Sequence, residues 1–418
     1  MSKLICFAFA AMVLSVAPGR AEVTLRLVEV LPSPVRSEAL EALVAEFEGR
    51  HAGTRVEVVS LSWDHAFERL AVMVEAGDAP DVVEMPDRWL STYAAPGRLE
   101  NLDPFLRGWR DSAALDDRTL AAARAVGGKA YVLPYGFYLR ALFYNKAVFR
   151  EAGIADPPRT LDDFVAVARR ISALPGRSGY CLRGGPGGLS AWLMFGATMA
   201  GSAAVFDAEG RSTLSQPGWV AGSSFVVDLY AGGAAPRDSV NWGFTEVLSG
   251  FATGRCAMLD QDPDALSALA GAMPRDDIGV TAMPKGPSGR AFPTLGYAGW
   301  SMFAASRHKD LAWDLIATLG GQAGSAAWNR GTGLLPVYRS AQDDPALSDG
   351  PLGPWIQELR DPGVTPLVLP TALPHFGHFA DVVAVETGQQ ALLGRITPQA
   401  LNDRWAETLD RDRAARVP

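Results

Sequence analysis

Two rhythms of apolar and polar positions run along the chain, one strand-like and one helical. Val23 to Val30 reads as a strand. A helix is predicted from Ser37, with Leu40, Leu43, Val44 and Phe47 at i, i+3, i+4 and i+7 and Gly49 just past it. Arg55 to Leu61 is the next predicted strand, and Asp64 is placed to cap a helix carrying Phe67, Leu70, Ala71 and Val74 that stops at Gly77. Asp81 to Met85 reads as a third strand, followed by a helix near Arg88 to Tyr93. This strand–helix order implies a parallel, doubly wound sheet.

A change of unit is expected after Gly127-Gly128. Ala130 to Leu133 reads as a short strand, and Pro134 should prevent its simple continuation, because proline lacks a ladder donor and restricts the residue before it. Leu139 to Asn145 reads as a new strand with a short helix after it, stopped at Gly153. Thr160 and Asp163 have capping-box spacing ahead of Phe164, Val167, Ala168 and Ile171. Further helices are expected near Leu161 to Ser172, Leu189 to Met199, Trp219 to Tyr230, Phe244 to Ala252 and Pro263 to Ala270, with strands near Gly179 to Arg183 and Arg255 to Leu259. Ile278 to Met283 and Trp300 to Ala305 read as strands around a Gly/Pro loop, and a helix follows with Leu311, Leu315 and Leu319. The C-terminal part reads as helical: Asp381 to Leu393, then a helix capped by Thr397 with Pro398 at its first position.

Composition narrows the class. The chain has 418 residues, is 48% hydrophobic and carries a formal charge of −8, which makes a nucleic-acid surface an unexpected use of it. Beyond residue 21 no stretch is apolar for long enough to span a membrane. Residues 1–21 differ: Lys3 gives a positive start, Leu4 to Val16 is apolar, and Gly19 and Ala21 make a small-x-small pattern. A cleavable signal peptide ending at Ala21 is expected. Cys6 lies at the start of the apolar run rather than after it, which favours a free periplasmic protein over a lipid-anchored one. The other two cysteines, Cys181 and Cys256, fall in predicted strands of one unit, and whether they pair stays open.

Ligands of open α/β sheets bind beyond the carboxyl ends of the strands. That rule selects Leu31 to Ser37, Ser62-Trp63-Asp64-His65, Met85-Pro86-Asp87 and Asp260-Gln-Asp-Pro263. Trp63 beside Asp64 and His65 offers a flat apolar face next to polar groups, the combination that sugars need. A core role for Trp63 and plain capping roles for Asp64 and Asp87 stay open. In the last turn Asp262 is the candidate, with Asp260 and Asp264 as competitors. Trp192 and Trp242, near loop-to-helix transitions of the second unit, are candidates for ligand contact or for the core.

Catalytic and metal signals are weak. There is no Gly-x-Ser-x-Gly elbow and no phosphate-binding Gly-x-x-x-x-Gly-Lys-Ser/Thr loop, and Gly184-Gly-Pro-Gly-Gly188 lacks the lysine and spacing of a phosphate cradle. Among the five histidines only His375 and His378 lie close, with no third ligand nearby. No enzyme, cofactor or metal is expected.

Gly128-Lys-x-Tyr-x-Leu-Pro-Tyr, then Tyr144-Asn-Lys-x-x-Phe-x-x-Ala-Gly-Ile, then Pro-Pro-x-Thr-Leu-x-Asp-Phe resembles the extracellular solute-binding proteins of bacterial ABC importers. The carbohydrate-binding branch, the relatives of maltose-binding protein, is the best match. Gly77-Asp-Ala-Pro-Asp-Val-Val83, Phe251-Ala-Thr-Gly-Arg-Cys-Ala-Met258 and Gly296-Tyr-Ala-Gly-Trp-Ser follow the same pattern in the same order.

The resemblance implies a type II periplasmic binding protein fold: an N-terminal lobe of residues 22–133 plus 284–333, a C-terminal lobe of 134–283 plus 334–418, each a doubly wound sheet, hinged by crossing strands. It implies a monomer that closes on a sugar or sugar-like solute and delivers it to the transmembrane subunits of an ABC permease. It also places Tyr138 at the first crossing facing the cleft, Gly299 and Trp300 at its wall, and His375 and Phe379 on the far side. On that placement Trp300→Ala is expected to weaken binding at least tenfold, about 1.4 kcal/mol, with the fold intact. The Asp-Gln-Asp-Pro turn replaces the tryptophan of the family's maltose binders, which points away from a maltodextrin and towards a smaller or more polar sugar, a polyol or a glycerol-phosphate derivative. The competing readings are a secreted carbohydrate-active hydrolase, since clefts with carboxylates also serve glycosidases, and a periplasmic receptor that loads a sensor.

Overall fold

The computed structural model describes residues 23–342, 345 and 349–415; the expected signal peptide lies outside the described residues. Two sheets organise the chain. The first holds β1 (Val23–Glu29), β2 (Thr54–Ser60), β3 (Val82–Pro86) and β4 (Leu133–Leu139), together with two late strands, β9 (Thr294–Met302) and β10 (Leu367–Val368). The second holds β5 (Ala141–Asn145), β6 (Ser178–Tyr180), β7 (Cys256–Gln261) and β8 (Ile278–Thr281), in the order β6-β7-β5-β8.

In the first sheet β1 pairs in parallel with β2 and β3, while β9 runs antiparallel to β3 and β4. The opening strand–helix units are therefore parallel, as their order demands, and a late strand returns through the middle. In the second sheet β6 and β7 are parallel and β5 is antiparallel to β7 and β8. Helices cover both sheets and leave separate apolar cores, one centred on Leu27, Phe47, Trp300 and Leu315, another on Phe164, Phe195, Trp219 and Leu409.

The chain passes from the first sheet to the second at Arg140. It returns between Thr281 and Thr294, and leaves again after the helix Gln322–Thr332, where Leu335 pairs with Phe137. These crossings put the carboxyl ends of β1, β2 and β3 opposite those of β6 and β7.

Local chemistry explains where the elements begin. The first helix is Pro34–Arg50 rather than one starting at Ser37, because Ser33 accepts from the Arg36 amide and Pro34 occupies the first position, where no donor is needed. The Thr160–Asp163 capping box forms with both bonds at 3.1 Å. Thr397 likewise caps Pro398–Ala414 by accepting from Ala400.

Three expectations change. Pro134 does not end a strand, because the ladder to β9 shifts register between Pro134 and Gly136, a bulge that tolerates the missing donor. Gly296 to Trp300 is not a loop before a strand but the middle of β9, paired with β4 throughout and from Ala298 with β3 as well. Helix Pro263 to Ala270 shrinks to Ala265–Ala268. Cys181 and Cys256 form a disulfide with Cα atoms 5.2 Å apart, joining the end of β6 to the start of β7.

Candidate functional site

The strand ends of the two lobes meet around a cavity of about 60 Å³. The first lobe contributes Leu31 and Arg36 after β1, Trp63 after β2, and Glu84, Pro86 and Arg88 around the end of β3. Tyr135, Tyr138 and Arg140 come from the first crossing, and Arg183, Phe244, Gln261, Asp262 and Asp264 from the second lobe.

Four buried arginines dominate it, and three are matched by carboxylates. Arg36 pairs with Glu84, which also accepts from the Val30 amide and from the Tyr135 hydroxyl, and its guanidinium lies 4.7 Å from the Trp328 ring centre. Arg88 faces Asp381 across the lobes at 3.8 Å and donates to Ser190 Oγ. Arg140 donates to the Asp260 carbonyl and carboxylate at 2.7 and 3.1 Å and lies 3.5 Å from Asp262. Burial opposes the charge on all three. Glu84, Asp381 and the Asp262–Asp260 pair more than offset it, so these guanidiniums are held above their ordinary value.

Arg183 differs. Its nearest carboxylate, Asp64, is 3.8 Å away, and burial, followed by repulsion from Arg140, pushes the guanidinium down to about 10. On the acidic side, Asp264 is pushed up to about 7 by burial and then by the neighbouring Asp262. Asp262 Oδ1, Asp264 Oδ1, Gln261 Nε2, the Nε atoms of all four arginines and Arg183 Nη2 are buried without a hydrogen-bond partner among the described residues. Buried polar atoms are normally satisfied. The residues that line this cavity therefore hold several polar groups whose hydrogen-bonding capacity is unused among the described residues.

The expected site residues divide sharply. Trp63, Tyr138 and Asp262 line the cavity. Trp63 stacks on Trp89 at 5.2 Å, so only part of its surface is free for a ligand. Asp64 lies at the edge and does not cap its own helix, Trp63–Glu75, which begins after Ser62. Instead its Oδ1 accepts from the Phe244 amide at 2.9 Å and its Oδ2 from Thr245 Oγ1 at 3.4 Å, capping the helix Phe244–Ala252 of the opposite lobe. Gly243 makes this possible, since a Cβ there would sit 2.3 Å from Asp64 Oδ1. His65, next to Asp64, is exposed.

Asp87 is buried behind Tyr138, whose hydroxyl donates to it, and burial raises its carboxyl to about 6. It opens instead onto a separate, mainly apolar pocket of about 500 Å³ on the other face of the crossings, lined by Phe137, Leu295, Tyr297 and Leu335 among others.

The remaining candidates are away from the cavity. Trp300 is fully buried in the first core between Tyr135 and Trp328, and Gly299 is paired with Met85 and Pro134 in the sheet. Their expected place at the cleft wall needs a loop where β9 runs as a strand, one layer away. Trp192 packs edge-on to Trp405, and Phe379 does the same from the other side of that core. Trp242 is buried beside the disulfide, with Arg255 over its ring. His375 is a largely exposed side chain bonded to Asp412 at 2.8 Å.

Pattern reading misses three of the four arginines, and reaches Arg36 only as part of the segment Leu31 to Ser37. Arg88 adjoins Asp87, Arg140 is the residue between two strands and Arg183 directly precedes the glycine run, so each sits beside a feature that the sequence does mark. Among the described residues, no group of three or more His, Cys, Asp or Glu is placed to hold a metal ion, and no helix is long and apolar enough to cross a membrane.

Residues 32–326 match the model of the bacterial extracellular solute-binding protein family. A binding protein of Brucella abortus is 26% identical over 364 residues, 86% of either chain. The galactooligosaccharide-binding protein of Bacillus subtilis is 25% identical over 324 residues, covering 75% of this chain and 73% of its own. Among solved structures, an ABC transporter solute-binding protein of Thermotoga lettingae bound with α-D-tagatose superposes with a TM-score of 0.82 at 21% identity, over 93% of this chain and 99% of that one. One from Agrobacterium radiobacter in complex with ribitol gives 0.75 at 21% identity, over 94% and 99%. Both likenesses are of fold.

Proposed function

The chain belongs to the bacterial extracellular solute-binding protein family, and from that membership we propose that it captures a small sugar or sugar-like solute between its lobes for an ABC importer. The observation that carries the reading is the interlobe cavity whose lining arginines, Gln261, Asp262 and Asp264 hold buried donors and carboxylate oxygens without hydrogen-bond partners among the described residues. Hydroxyl groups both donate and accept, so a polyhydroxylated molecule answers both sets at once. Names among the relatives support it: a galactooligosaccharide binder, and structures holding tagatose and ribitol.

At about 60 Å³ the cavity is smaller than the roughly 300–1,000 Å³ of ordinary ligand sites. The solute therefore enters only when the lobes part, and the enclosed portion of it is small. Closure by rotation about the crossings is the motion such proteins use. The family's relatives are substrate-binding proteins rather than enzymes. We further place the mature protein, freed of residues 1–21, in the periplasm as a monomer, handing its solute to the membrane subunits of a permease.

The test is calorimetric titration of protein stripped of ligand by unfolding and refolding, against sugars, polyols, glycerol phosphates and amino acids. Saturable binding confined to polyhydroxylated solutes is expected. Binding of amino acids alone would overturn the carbohydrate reading and leave the receptor reading standing, and release of a cleaved product would favour a hydrolase.

A further inference from the structure

Arg183 sets this cavity apart from a generic sugar site. It is 7% exposed, and its Nε and Nη2 lack a hydrogen-bond partner among the described residues. Around it, every other cavity arginine has a carboxylate whose charge outweighs the cost of burial, as the upward displacement of Arg36, Arg88 and Arg140 shows. The carboxylate nearest Arg183, that of Asp64, is directed at the Phe244 amide and Thr245 hydroxyl, leaving 3.8 Å to the guanidinium. The Phe244 ring lies 5.7 Å from it, a contact that shields it from water without neutralising it.

The backbone behind Arg183 adds to this positive corner. The run Gly184-Gly-Pro-Gly-Gly188 folds under the guanidinium, and a Cβ at Gly187, whose φ is +84°, would meet Arg183 Cζ at 2.5 Å. That run leads into the 12-residue helix Leu189–Ala200, whose start has no side-chain cap. A helix start presents amide donors and partial positive charge. Ser190 in its first turn already accepts from Arg88. The guanidinium thus lies between an uncapped helix start and the cavity, with donors to spare.

Asp262 and Asp264 line the same cavity, each with an oxygen that lacks a hydrogen-bond partner among the described residues, and Asp264 lies within the electrostatic reach of Arg183. These oxygens call for hydroxyl donors, whereas the guanidinium calls for an acceptor bearing charge. Resting on the sugar reading above, we propose that the solute is a sugar acid, a monosaccharide-sized polyol whose carboxylate pairs with Arg183 while its hydroxyls donate to Asp262 and Asp264. A planar carboxylate matches the guanidinium fork with two parallel bonds, the geometry that makes such pairs strong and specific.

Matched pairs test this on the wild-type protein: D-gluconate against D-glucitol, D-galacturonate against D-galactose, and D-xylonate against D-xylitol, each titrated calorimetrically near pH 7.5. The expected result is one pair in which the acid binds at least tenfold more tightly than its neutral partner. In Arg183→Gln, which keeps a donor but no charge, that preference should fall to within about threefold, with the melting temperature of the unliganded protein checked in parallel. A neutral member binding as tightly as its acid overturns the proposal while the sugar reading survives. The proposal fails equally if glycerol 3-phosphate outcompetes every sugar acid, or if the acid preference persists in a folded Arg183→Gln. Binding of no member of any pair overturns the sugar reading and this inference together.

Discussion

Trp300 and Asp262 show how differently two candidate residues fare once the layers of the fold are known. Trp300 is fully buried among Tyr135 and Trp328, so Trp300→Ala removes core packing and should cost about 3–5 kcal/mol of stability. Urea unfolding checks this; an unchanged midpoint would refute the core assignment. Asp262 lines the cavity, has one buried oxygen without a hydrogen-bond partner among the described residues and lies 3.5 Å from Arg140. Asp262→Asn should weaken solute binding at least tenfold, about 1.4 kcal/mol, with little change in melting temperature. Asp87 carries a pH signature. Its carboxyl is raised to about 6 in the folded protein, against about 3.9 when unfolded, so the folded state holds more protons between those values. Stability should therefore fall as pH rises from about 4 to 6, by up to about 3 kcal/mol from this group. Asp87→Asn should flatten that fall while keeping an acceptor for Tyr138. An unaltered slope in the variant would show that Asp87 is not the source. The strand-end rule reaches Trp63 and Asp262, but no single-sequence pattern marks an arginine as buried. Arg88 and Arg183 have their carboxylate partners, Asp381 and Asp64, in the opposite lobe, which sequence spacing does not reveal.

At the scale of elements, the legible parts are those specified by neighbours in sequence. Leu161–Ser172 and Phe244–Ala252 lie where the apolar period and their caps place them. Pro134 and Gly296 to Trp300 escape such reading because strand identity there is decided by β9, more than 150 residues away from Pro134, and by a register shift that sequence spacing does not encode. Asp64 is the element-scale surprise: a side chain near the start of one lobe's helix caps a helix of the other. That contact exists only with the lobes together, so it stabilises closure without needing a solute. Asp64→Ala should shift the ligand-free protein towards an open form, seen as a larger radius of gyration in X-ray scattering that returns to the wild-type value on saturation. Identical scattering of the two ligand-free proteins would exclude the latch. The Cys181–Cys256 disulfide spans 75 residues of sequence and ties β6 to β7 beneath the Arg183 corner. The paired substitution to alanine should lower stability by about 2–5 kcal/mol. A melting temperature insensitive to both the substitution and to reductant would count against the bond.

For the whole molecule, two lobes that bring their strand ends together account for the site better than the apolar pocket beyond the crossings does. The apolar pocket of about 500 Å³ beyond the crossings is roomier, yet the cavity of about 60 Å³ holds the cluster of open donors and acceptors. Burying such atoms without partners is costly. In a binding protein that cost becomes selectivity, because a solute that satisfies them favours the closed form more than one that does not. The most direct measurement is calorimetric titration of ligand-stripped wild-type protein and of Asp262→Asn with the panel of sugars, polyols and sugar acids. The expected result is saturable one-to-one binding by the wild type, weakened at least tenfold in the variant. Binding of full strength in a folded Asp262→Asn, or none by the wild type to any polyhydroxylated solute, would contradict it.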